Sequence, residues 1–93
     1  MTPAEVKAIR LSMRTSKGRP PSQKKFAEFL GMGQSTIARF EANLAKPSGS
    51  SVSVLRLCQL PGALKILVIH AKREGRFSDI VEQKRDFIFV AGE

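Results

Sequence analysis

The sequence predicts an all-α fold: a bundle of five helices followed by a C-terminal extension that is helical or strand-like. Three observations predict it. A capped segment with helical apolar spacing opens the chain. A pair of helical segments around Gly31 follows, spaced as two crossing helices require. Pro and Gly then punctuate two further apolar stretches of helical length.

In the first helix, Thr2 suits the N-cap, Pro3 the first helical position, and Glu5 completes a capping box. Val6, Ile9 and Met13 then share one face. Residues 14–21 are expected to be a loop, because Gly18 and the pair Pro20-Pro21 cannot continue a helix. Ser22 is the candidate cap of the second helix, which turns Phe26, Phe29 and Leu30 inward and stops at Gly31. The third helix is expected over residues 34–42, with Ile37 and Phe40 in the core and Asn43 as a left-handed terminator. Residues 52–60 predict a fourth helix with Val54, Leu55 and Cys58 on one side, which Pro61-Gly62 breaks. Residues 63–73 predict a fifth. Ser78 could cap a short helix through Lys84, and residues 86–90 have the pattern of a strand.

Counted from Gln23, apolar residues stand at the fourth, eighth, tenth, fifteenth and eighteenth positions: Phe26, Leu30, Met32, Ile37 and Phe40. Ala27 at the fifth supplies the small side chain that two steeply crossing helices need where they approach. Gly31 at the ninth supplies the positive φ of the turn. This is the pattern of a helix-turn-helix, and it leaves Gln34, Ser35, Ala38 and Arg39 on the outer face of its second helix. The plain alternative is a helical hairpin within a small bundle.

The charge favours a polyanionic partner. The 93 residues carry a net charge of +8, and residues 1–49 hold nine Lys and Arg against three acids. Arg39 can pair bidentately with guanine O6 and N7, and Gln34 with adenine N6 and N7. Ser35 could touch a base edge or donate to a phosphate. Lys17, Arg19, Lys24, Lys25 and Lys46 suit backbone contacts or a merely solvated role.

The chain resembles the lambda-repressor and Cro-like, or XRE, family over residues 2–60. The resemblance rests on Ser22-Gln23, Phe26-Ala27, Leu30-Gly31-Met32, Thr36-Ile37, Arg39-Phe40-Glu41 and Pro47-Ser48. Within the family it looks most like the DNA-binding half of MqsA-type antitoxins, through Thr2-Pro3-Ala4-Glu5, the Arg39-Phe40-Glu41 triplet and Lys46-Pro47-Ser48. It departs from the family in Asn43, where Gly is usual, and in a longer loop over residues 14–21. It also has no Cys pair from which to build those antitoxins' zinc domain. The resemblance implies a five-helix lambda-repressor-like bundle, base contacts from Gln34, Ser35 and Arg39, a phosphate contact from Gln23, and a structural ion pair for Glu41, with Arg10 as candidate partner.

Residues 1–60 are thus expected to bind double-stranded DNA, with residues 61–93 a dimerisation or partner-binding extension of the same domain. The fifth helix is unusually apolar, and Ile66 and Ile69 lie off its main stripe, the mark of a partner surface. Ile66, Ile69, Phe87 and Phe89 are the candidate dimer contacts. A strand over residues 87–90 could pair across the dimer or lie as a lid on the core. The expected function is an autoregulating repressor bound to an inverted repeat as a homodimer. The alternative is an antitoxin whose C-terminal third neutralises a toxin protein.

No enzyme, metal or cofactor is expected, since Cys58 and His70 are single and no nucleophile stands with a base or phosphate loop. Neither a secretory leader nor a bilayer-length apolar run is present, so the expectation is a cytoplasmic protein.

Overall fold

The opening helix begins where its capping chemistry requires. The Thr2 hydroxyl accepts from the Glu5 amide at 3.1 Å, and the Glu5 carboxylate accepts from the Thr2 amide at 2.8 Å. That reciprocal pair, with Pro3 at the first position, starts α1 (Pro3–Ser12). The computed structural model describes residues 1–83. Among these it is mostly helical, with α2 (Gln23–Phe29), α3 (Thr36–Glu41), α4 (Gly49–Leu57) and α5 (Pro61–Arg73). A two-residue ladder joins β1 (Met13–Arg14) antiparallel to β2 (Glu82–Gln83).

Three helices end in the same way. At α2 the amide of Gly31 donates to the Glu28 carbonyl and that of Met32 to Ala27, with Gly31 at φ 73°. At α3 the corresponding bonds run from Asn43 to Phe40 and from Leu44 to Arg39, with Asn43 at φ 60°. At α5 they run from Gly75 to Lys72 and from Arg76 to Ala71. Each is a Schellman closure, which satisfies carbonyls the helix leaves open and reverses the chain. Asn43 does at α3 what Gly does at the other two.

Several boundaries differ from the sequence expectation. Met13 is fully buried as expected, but it leaves α1 and enters β1, because its backbone and that of Arg14 pair with Gln83 and Glu82. Residues 14–21 are therefore not wholly irregular; Arg14 belongs to the ladder and the turn begins at Thr15. Helix α3 starts at Thr36 rather than Gln34. Ser35 sits at φ −100°, ψ 0°, outside helical geometry, and the Thr36 amide closes a tight turn onto the Gly33 carbonyl. Helix α4 starts earlier than expected, since Ser48 caps it by accepting from the Ser51 amide. Its last residues tighten into i→i+3 bonds at Gln59 and Leu60 before Pro61. Pro61 itself opens α5 two residues earlier than expected. Among the described residues, the helix expected from Ser78 to Lys84 does not form. The chain runs there without regular structure into β2, and the strand expected over residues 86–90, with Phe87 and Phe89, lies outside the described residues.

One core joins all of this. Val6, Ile9 and Met13 meet Phe26, Ala27, Phe29, Ile37 and Phe40 from α2 and α3, and Leu55 and Cys58 from the fourth helix and its cap. Leu64, Ala71 and Ile80 belong to the same cluster, so the C-terminal third shares the interior of residues 1–60. Burial pushes the Cys58 thiol up to about 12, which keeps it protonated at neutral pH. No single helix among the described residues is long and apolar enough to cross a membrane.

Ala27 has no exposed surface, and α2 packs on α3. Ala27→Leu is expected to lower stability by about 1–3 kcal/mol, the usual penalty for added volume in a filled site. A thermal melt checks this, and an unchanged midpoint would mean that the interior has slack there.

Candidate nucleic-acid interface

The site is braced from behind. Arg10 reaches from α1 and donates through Nε to Glu41 Oε2 at 2.8 Å and through Nη2 to Oε1 at 3.0 Å. Its Nη1 donates to the Pro21 carbonyl at 3.1 Å, and Gln23 Nε2 donates to Glu41 Oε1 at 2.9 Å. One carboxylate at the end of α3 thus holds α1 and the start of α2, and Arg10 ties in the end of the loop. The Arg10 and Glu41 side chains are only 12% and 5% exposed. Burial works to raise the Glu41 carboxyl. The hydrogen bonds from Arg10 and Gln23, with the charges of Arg10 and Lys7, outweigh it and hold the group below its ordinary range.

The Arg10 partnership that the resemblance implied for Glu41 is therefore present. Gln23, to which it gave a phosphate contact, turns its amide nitrogen inward to Glu41 and is half-buried.

The outer side of this frame is open. Gln34 and Ser35 lie exposed in the turn before α3, and Arg39 is exposed on the helix itself. Ser35 makes no side-chain cap bond, and Arg39 makes no salt bridge among the described residues. Ala38 between them is half-buried. Lys17, Arg19, Lys24, Lys25 and Lys46 are all exposed. Lys17 and Arg19 stand on the loop before α2, Lys24 and Lys25 on α2, and Lys46 on the connection after α3.

Sequence reasoning missed the segment after α5, which lies against this surface. Arg76 places its guanidinium over Gly31, 3.5 Å from where a β-carbon there would stand, and its Nη2 donates to the Phe29 carbonyl at 3.4 Å. It pairs with Glu74, which His70 Nε2 also approaches at 3.4 Å. The Phe77 amide donates to Glu28 at 2.8 Å, and the Phe77 ring lies 5.4 Å from the Lys25 ammonium. Asp79 accepts from Ser16. The contacts that Arg76, Phe77 and Asp79 make with residues 16–31 join positions 45 to 63 apart, and no local pattern announces them.

Ile66 and Ile69 are 67% and 55% exposed on α5. Ile69 also borders an apolar groove of about 420 Å³, with Pro61, Leu64, Val68, Ile80 and Val81. No protein-family model, curated protein or solved structure matches this chain.

The depressed Glu41 carboxyl ties part of the fold's stability to pH. Because the folded group titrates below its ordinary value of 4.5, that stability is fully present above this value and is lost as pH falls through the folded one. Glu41→Gln is expected to melt lower at pH 7 and to lose less on going to pH 3 than the parent protein. Melting curves at the two pH values decide it, and parallel losses would place the acid sensitivity elsewhere.

Proposed function

We propose that this chain is a sequence-specific DNA-binding regulator of the lambda-repressor-like helix-turn-helix kind, acting as a repressor of its own small operon. The observation that carries the reading is the exposed edge formed by Gln34, Ser35 and Arg39, free on its outer side and fixed on its inner side by Arg10, Gln23 and Glu41. A major groove admits an α-helix and offers acceptors and donors that Arg and Gln can pair bidentately. Exposed cations on the loop, on α2 and after α3 suit phosphates on either side of such a helix. Arg39 and Gln34 then read bases. Ser35 reads a base or anchors a phosphate, and Lys17, Arg19, Lys24, Lys25 and Lys46 hold the backbone.

The working unit in this reading is a homodimer on an inverted repeat. One reading helix covers few base pairs, and two copies set roughly 34 Å apart double the site. Ile66 and Ile69 offer the apolar surface for a two-fold contact.

Two experiments test the proposal. Duplexes selected from a random pool by the protein define its operator. Arg39→Ala is then expected to lose about 1–3 kcal/mol of discrimination between operator and scrambled duplex at fixed salt, with an unchanged melt. Equal weakening on both duplexes would make Arg39 a phosphate contact. The pair Ile66→Glu with Ile69→Glu is expected to give a folded monomer with much weaker operator binding. Sedimentation reads it out; a parent protein that is monomeric both free and on DNA would remove the dimer.

A further inference from the structure

The basic loop before α2 is held in a closed shape. The Thr15 amide and hydroxyl both donate to the Arg19 carbonyl, at 2.8 and 3.0 Å, and the Gly18 amide returns to the Thr15 carbonyl at 2.9 Å. Gly18 takes φ 78°, which lets four residues turn without strain. Lys17 and Arg19 flank that glycine and make no salt bridge among the described residues.

What fixes the loop to the body is the segment after α5. Asp79 takes the Ser16 amide on one carboxylate oxygen at 3.1 Å and the Ser16 hydroxyl on the other at 2.9 Å. The Val81 amide donates to the Arg14 carbonyl at 2.8 Å, just ahead of the β1–β2 ladder. Two residues before Asp79, the Phe77 ring lies against the Lys25 ammonium, while its amide is pinned by Glu28. The same short strap therefore sets both a loop with two cations and a third cation on α2. Between them is a cavity of about 250 Å³ bordered by Lys17, Arg19, Ser22, Lys25, Phe77 and Asp79.

We infer that this cavity is a preorganised cradle for a phosphate of the DNA backbone, with Asp79 as its positioning residue. The inference rests on the DNA-binding reading and adds a site to it: three cationic residues border one small cavity instead of acting singly. Three cationic residues and one carboxylate border the cradle, so it keeps an excess of positive charge. The carboxylate is adverse to a phosphate by charge alone, but both of its oxygens are already engaged by Ser16. Phe77 has a matching role, since an ammonium resting on a ring face loses less freedom when an anion arrives.

Charge and positioning make opposite forecasts, which gives the test its edge. Deleting an acid from a DNA-binding face strengthens binding if only net charge matters. Asp79→Ala is instead expected to weaken binding roughly 3–10-fold and to make the slope of log K against log salt shallower by about one. Ser16→Ala, which leaves the charge unchanged, is expected to move both readings the same way, and it carries the test if Asp79→Ala fails to fold. The pair Lys17→Ala with Arg19→Ala is expected to cost less in the Asp79→Ala background than in the parent, as coupled groups require. Binding by Asp79→Ala and Ser16→Ala as tight as the parent's, with the full salt slope, overturns the cradle and leaves the DNA-binding reading standing. A parent protein that binds no duplex even at low salt overturns both.

Discussion

The ion pair between Arg10 and Glu41 is where the separate helices become one object. Arg10 spends its guanidinium on three oxygens, two from Glu41 and one from Pro21, and Gln23 completes the set. A planar fork with five donors meets a carboxylate side-on in few orientations, so the angle and height of α3 against α1 are both specified. Taking such a pair out of water offsets most of its attraction, so replacement by apolar residues of equal volume can leave stability unchanged. Its worth in this protein is geometric. It selects one arrangement of α1, α2 and α3 out of several that would bury the same Phe and Ile residues, and so sets where Gln34 and Arg39 stand.

The same logic runs outward. Gly31 and Asn43 reverse the chain on either side of α3, and the pair ties the helix to α1 from behind. On the flank, Asp79 and Phe77 do for the basic loop and for Lys25 what Glu41 does for α3. Acidic and aromatic residues here hold polar or cationic groups in place at a surface of net positive charge. Leu64 and Ala71 carry α5 into the interior, while Ile66 and Ile69 stay exposed on it and lie apart from this work. That division suits a chain in the proposed role, which must face a polyanion and a copy of itself together.

Much of the helical framework was legible in the sequence because it is written in local chemistry. The Thr2–Glu5 box, the Ser22 cap, Gly31 and Asn43 each act within five residues, and the burial of Phe26, Ala27, Ile37 and Phe40 follows their spacing. The Arg10–Glu41 pair was reached through family resemblance, since nothing in the spacing of two residues 31 apart indicates a contact. Helix ends were less legible. Gln34 and Ser35 have adequate helix propensity, and only the turn closed by Gly33 keeps them out of α3. Helix α4 opens at Gly49 under the Ser48 cap, before the apolar spacing of residues 52–60 begins. The segment after α5 was not legible at all. Ser78 has the look of a cap, yet bonds from Asp79 to Ser16 and from Val81 to Arg14 prevail over any local helix there.

That strap also bears on the order in which the molecule assembles. The Ser16–Asp79 contact spans 63 residues, and closing a flexible loop of that length costs on the order of 4 kcal/mol in chain entropy. Two exposed hydrogen bonds and a two-residue ladder cannot meet that cost alone. They form only once the helices have brought the two stretches together, whereas contacts among α1, α2 and α3 join nearer neighbours and need no such help. Helix α3 can therefore pack before the strap is made, and the bonds that tie the basic loop to residues 79–81 follow it.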